Sequence, residues 1–354
     1  MFTRQMTSLR GLLTQHPLKA SAPCRIDSGG TWDIKAMALP LQMVEPTTVN
    51  IALNLRTFVT LLPYLDGSVS ISSQGFPLAE SFPSRKVPFD SPFGLFFAAL
   101  SYFGFHGLKV DISSQSPVKS ALGGSSTALV ALLKALVKAS VRLGGKELAG
   151  DEILHLAYNL EDSVCDGKCG LQDQAAAVYG GVHQWKWRYG DGTPSVERHP
   201  LLDRGGQKEL SRRFLVAYGG IGHNSLLTNR DWIRDFLSGR TRAGWIEANE
   251  IVHHLARSIE DRKWDMAADL LRRELAVRRK ITPDALIPIT RTLADQAESV
   301  GCGARFAGAG AGGSIWALGE IDNIRRLREL WEVSLAPIKD AEILSCEVDP
   351  EGME

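Results

Sequence analysis

The chain has 354 residues, enough for two packed domains at ~100–200 residues each. Its 40 basic and 40 acidic side chains cancel, which argues against a general binder of nucleic acid or of anionic membrane surfaces and leaves room for a local basic patch. No apolar run looks long enough to span a bilayer, so a cytosolic location is expected.

Residues 1–19 carry Arg4, Arg10 and Lys19 and no acid, and read as an N-terminal extension rather than a transit segment. From Ala20 to Thr31 a strand-like piece ends in a glycine turn that delivers Trp32 and Asp33. Arg25 and Asp27 alternate with apolar neighbours, and Asp33 sits just past two glycines, where a carboxylate accepts hydrogen bonds from sugar hydroxyls. A surface hairpin with solvated charges is the plain alternative. Thr47 to Leu62 alternates as strands do, and Val69 to Ile71 continues the pattern. Prolines 77, 83, 88 and 92 punctuate a loop, Phe93 to Phe103 reads as a helix, and Leu108 to Ile112 as a strand.

That strand leads into the most informative stretch, Ser116 to Thr127, a hydroxyl-rich turn running directly into the apolar helix Ala128–Val137. Gly123 and Gly124 let backbone N–H groups approach an anion, and the helix opening adds about half a positive charge. Lys119, Ser120, Leu122, Ser125, Ser126 and Thr127 complete a candidate phosphate cradle, although an ordinary core helix capped by Ser125, Ser126 or Thr127 has the same pattern.

A second helical pattern covers Gly145 to Val164, with Glu161 and Asp162 at its far end. Acids are unfavourable there unless a cation joins them. Asp173 lies between two glutamines, after a glycine loop and before an alanine-rich helix, a setting suited to orienting a hydroxyl and taking its proton, or to a plain N-cap. Cys165 and Cys169 lack the second Cys or His pair that a zinc site needs, and the five scattered cysteines read as reduced thiols. Val182 to Trp187 is a strand, and the polar connection Arg188–Lys208 is the expected domain boundary. Phe214 to Tyr218 is another strand, followed by a turn carrying His223, a candidate substrate contact. Asn249 to Leu275 and Pro283 to Ser299 read as amphipathic helices with solvated charges. Strand, glycine-rich turn and strand close the pattern over Ala304–Leu318, the turn spanning Gly308–Gly313.

Taken together, these stretches resemble the GHMP kinases, the superfamily of galactokinase, homoserine kinase, mevalonate kinase and phosphomevalonate kinase. Ala22 to Asp33 resembles the first motif of its sugar kinases, Pro117 to Thr127 the phosphate-loop motif Pro-x-x-x-Gly-Leu-Gly-Ser-Ser, and Gly308 to Gly313 the third, glycine-rich motif. Gly170 to Gln174 is similar to the acid-bearing segment of the sugar branch, and the set looks closest to fucokinase and D-glycero-D-manno-heptose 7-phosphate kinase. The chain departs from the pattern in having Gly124 at the usual metal-side serine, with Ser125 or Ser126 as substitutes, and in a shorter first motif with Thr31 and Trp32 exchanged.

The resemblance implies an α+β fold: a ribosomal-protein-S5-like ATP-binding domain over 20–205 and a ferredoxin-like domain over 206–354, with the site between them. It implies ATP and Mg2+ as cofactors and transfer of a phosphoryl group to the anomeric hydroxyl of a sugar or sugar phosphate. Asp173 would act as base, Arg25 as its charge partner, and Glu161 with Ser125 as metal ligands. Asp27, Asp33, Gln174, His223, Gly308, Ala309, Gly310 and Gly312 would surround the substrate. A kinase of a mevalonate- or inositol-like alcohol and a non-catalytic sugar sensor are the rival expectations. A homodimer is the protein partner expected, with neither nucleic acid nor membrane.

Overall fold

The computed structural model describes residues 9–190, 195–222 and 225–354. Its strands fall into two sheets. The first is seven-stranded and is built from β1 (Leu18–Ser28), β2 (Thr47–Pro63), β3 (Ser68–Ser73), β4 (Glu80–Pro83), β5 (Leu108–Ser114), β6 (Val182–Arg188) and β7 (Ser195–Pro200). β2 is the spine. β1 pairs along one edge of it from Leu18↔Leu61 to Ser28↔Val49, while β5 and β6 share the other edge end to end. Only the second half of β2 alternates between buried and exposed residues. The first half is buried throughout because helix packing covers its outer face, where the Asn249 amide oxygen takes the Thr47 N–H at 2.9 Å.

The helices of this half are α1 (Leu9–Gln15), α2 (Lys35–Ala38), α3 (Gly94–Phe103), α4 (Gly124–Arg142), α5 (Gly150–Val164) and α6 (Gln172–Tyr179). α4 is the central one, with Leu129 to Leu133 fully buried. By length and composition it passes for a membrane span, contrary to the sequence expectation, yet 67% of its most apolar window is buried inside the fold.

The second half contains α7 (Arg204–Ser211), β8 (Phe214–Tyr218), α8 (Ser225–Leu237), α9 (Arg242–Glu260), α10 (Trp264–Ile281), α11 (Pro288–Ser299), β9 (Gly303–Phe306), β10 (Ser314–Leu318), α12 (Ile321–Leu335) and β11 (Glu342–Leu344). Its strands form a four-stranded antiparallel sheet in the order β11-β8-β10-β9, the arrangement of a ferredoxin-like unit. The tail then returns to the first half, where Val348 bridges Leu53 and Asp349 pairs with Arg56 at 2.6 Å.

Three local expectations need correction. The connection after Arg188 contains an edge strand, β7, whose largely polar sequence hides it because an edge strand has one solvated side. The helix expected over Asn249–Leu275 is two, α9 and α10, broken where Arg262 takes φ 57°. Nor are all charges there solvated, since Glu274 is fully buried, as is Arg278 just beyond the expected range on α10.

Candidate active site

Two adjoining cavities meet along a strip formed by Arg25, Lys119, Ser125, Asp173, Gly308 and neighbours. The smaller, 290 Å³, is lined by the loop 116–121, Gly123, Gly124 and apolar groups such as Phe76, Phe96 and Ile112. The larger, 480 Å³, reaches past Asp33, Glu161, Gln172 and Asn229.

The loop before α4 is shaped by left-handed backbone at Lys119 (φ 58°), Ala121 (φ 62°) and Gly123 (φ 82°), the last being the N-cap. α4 therefore begins with no side-chain cap, and Gly124 and Ser125 stand exposed in its first turn, leaving orphan N–H groups for an anion. Thr127 turns inward, its hydroxyl donating to the Gly123 carbonyl at 2.9 Å, and Leu122 is core. Both belong to the loop's scaffold rather than to its lining.

Arg25, on β1 and 3% exposed, donates from Nε to Asp173 Oδ1 at 2.8 Å and from Nη1 to the Ala121 carbonyl at 2.8 Å. Its Nη2 lies 2.6 Å from the same Asp173 oxygen. Burial opposes the guanidinium charge, but Asp173 and Asp27 outweigh it and hold the pKa above the ordinary value. Asp173 sits in the first turn of α6 and not at its N-cap. With both arginine contacts on Oδ1, Oδ2 takes no hydrogen bond among the described residues, while 24% of the side chain stays exposed to the cleft.

Glu161 lies at the end of α5 against the first turn of α4. It accepts from Ser126 Oγ at 3.0 Å and from Gln174 Nε2 at 2.6 Å, and burial pushes its pKa up to about 7. No salt bridge to Glu161 occurs among the described residues, so hydrogen bonds alone meet its charge there. Mg2+ takes hard oxygen donors, usually one or two carboxylates plus substrate phosphates, so a buried glutamate beside serine hydroxyls fits that ion. No denser cluster of metal ligands occurs among the described residues. Gln174 is thereby committed to Glu161 and is not part of the lining.

Asp33 is 2% exposed and is held by the Thr31 N–H (3.0 Å) and the Gln172 N–H (3.0 Å); burial raises its pKa to about 6. Gly170 is required beside it, since a Cβ there would stand 1.7 Å from Asp33 Oδ2. The exchange of Thr31 and Trp32 has a structural counterpart. Thr31 lines the cavity with φ 88°, and Trp32 is fully buried against Phe236 and Trp245 of the other half.

Asp27 lies behind the cleft. Its oxygens accept from Gly308 N (2.7 Å) and Arg305 Nη1 (2.8 Å), and Arg305 continues to Glu274 at 3.2 Å. Gly308 and Ala309 line both cavities. Gly310 and Gly312 instead serve close packing, on the carbonyls of Ala285 and Gly222. His223 lies outside the described residues. Sequence reasoning missed Gln172 and Asn229 in the lining, and the pair Arg305–Glu274 behind it. Gln172 is adjacent to Asp173 and was within reach of a motif reading; Asn229, inside a polar helix, had no signal.

An uncapped helix start behind a glycine loop, a carboxylate held by arginine at the seam of two cavities, and a buried glutamate beside a serine hydroxyl make an arrangement suited to phosphoryl transfer. Residues 94–181 match the GHMP kinases N terminal domain, so the chain carries a GHMP kinase N-terminal domain in the fold of that family and is a phosphotransferase with an alcohol group as acceptor. The mevalonate kinase of Thermococcus gammatolerans is 27% identical over 296 residues, covering 75% of this chain and 81% of the relative. Among solved structures, Lactococcus lactis galactokinase complexed with galactose superposes with a TM-score of 0.71 at 16% identity, covering 96% of this chain and 95% of the other. A D-glycero-D-manno-heptose 1-phosphate kinase from Bacteriodes thetaiotaomicron gives 0.66 at 18%, covering 95% and 98%.

Proposed function

We propose that this phosphotransferase uses ATP to phosphorylate a sugar or sugar phosphate at its anomeric hydroxyl. The observation that carries the reading is Asp173, which lies on the strip common to both cavities and is fixed there by Arg25 through one oxygen. Its second oxygen takes the proton of the acceptor hydroxyl as that oxygen bonds to the γ-phosphorus and the bond to the β–γ bridging oxygen breaks. Arg25 fixes the Asp173 carboxylate in place and adds positive charge where negative charge develops. Lys119 and the first turn of α4 hold phosphate oxygens, while Asp33 and Gln172 orient acceptor hydroxyls. Glu161 with Ser126 or Ser125 would hold Mg2+, which supplies neutralisation of phosphate charge.

The polar lining around Asp33 supports a polyhydroxyl acceptor. The likeness to mevalonate kinases favours a second reading, a branched alcohol of the mevalonate type. A coupled assay of ADP release across free hexoses, pentoses, heptose 7-phosphates and mevalonate separates the two. Turnover confined to mevalonate would remove the sugar reading, as would silence with every sugar while ATP still binds.

A further inference from the structure

We propose that the acceptor is an uncharged polyhydroxyl compound, a free sugar that bears neither phosphate nor carboxylate. This rests on the sugar reading above and narrows its acceptor class. The support is the distribution of charge along the larger cavity. Its basic side chains among the described residues are Arg25 and Lys119, and both lie in the strip shared with the smaller, nucleotide-side cavity. Arg25 is already committed to Asp173. Beyond that strip the charged lining residues are Asp33 and Glu161, both acids.

Two further bases flank this end in sequence, and neither lines it. Lys168 is held by Asp166 at 2.6 Å, and Lys35 is exposed and outside the cavity lining. A phosphate or carboxylate carried past the strip would lose its water beside the Asp33 carboxylate, with no basic side chain among the described lining residues there to compensate it; Glu161 does not enter this balance, because Mg2+ would meet its charge. Hydroxyls meet no such penalty, because they donate to Asp33 and accept from the amides of Gln172 and Asn229. Ile34, Pro92 and Leu95 give the otherwise mixed wall an apolar stretch that suits a ring face.

The test compares kcat/KM, with Mg2+ and ATP at neutral pH, for free hexoses and heptoses, for the same sugars phosphorylated away from the anomeric carbon, and for mevalonate. The expected result is at least a 100-fold preference for a free sugar over its phosphorylated form, carried mainly by KM. Asp33→Asn should shrink that preference at least tenfold. A phosphorylated sugar used as well as the free one overturns the inference and leaves the sugar-kinase reading standing. Preference for mevalonate overturns both. A preference unchanged in Asp33→Asn overturns the charge argument.

Discussion

Asp173 and Asp27 are both aspartates bonded to arginine, and their surroundings give them opposite tasks. Asp173 keeps one oxygen for the cleft, whereas Asp27 is fully buried with both oxygens engaged. Asp173→Asn removes the proposed proton acceptor and half of the Arg25 pair. Turnover should fall by about 10²–10⁴-fold, the usual worth of a positioned general base, with nucleotide affinity nearly unchanged in a binding titration. Intact turnover would remove Asp173 from the chemistry. Asp27→Ala leaves Arg305 buried beside Glu274 with one partner fewer and frees the Gly308 N–H. The loss in unfolding free energy by denaturant titration should be about 3–5 kcal/mol, the cost of breaking a buried pair. A loss under 1 kcal/mol would mean that water reaches the arginine.

At the scale of elements, the cleft is a contact between two loops from different sheets. The glycine loop between β9 and β10 lies so close to the loop before α4 that a Cβ on Gly313 would stand 2.6 Å from Ala121 Cβ and 2.7 Å from the Ser120 carbonyl oxygen. Gly313 also takes φ 72°, so Gly313→Ala adds left-handed strain of about 1–2 kcal/mol to a clash that pushes the loops apart. The expected result is a lower thermal midpoint and a raised KM for ATP together. A change in neither would show that the loops move apart freely. The two glycine turns and the helix behind the first were legible because glycine pairs and a continuous apolar run leave a local signature. The third motif's partner was not. Ala121 takes left-handed backbone at the place where the resembled motif has its first glycine, but an alanine carries no such preference of its own, so the conformation was legible only through the motif. For a like reason Glu274 read as a surface charge, and Arg278 lay beyond the helix expected there. They sit on an amphipathic helix, and only the fold places Asp27, Trp232 and Trp245 around them.

For the whole molecule, the cleft stores carboxylates that the empty protein holds at a cost. Burial raises Glu161 from 4.5 to about 7 and Asp33 from 3.8 to about 6, so both are more protonated when folded than when unfolded. The sign follows from linkage. A raised folded pKa gives stability that is fully present below the unfolded value and is lost as pH rises through the folded one. For Glu161 the window is pH 4.5 to 7, and the contribution lost across it is about 3 kcal/mol. Since other groups titrate in the same range, the quantity to measure is the difference between the native chain and Glu161→Gln, by urea unfolding at each pH. The native chain should lose stability relative to the variant as pH rises from 4.5 to 7. Mg2+ with nucleotide should reverse this trend, because the ion binds the ionised carboxylate and its stabilising effect grows through the same window. A difference that stays flat with pH would mean that Glu161 is ionised in the empty protein and compensated by another group. A trend that Mg2+ and nucleotide leave unchanged would remove Glu161 from the metal site.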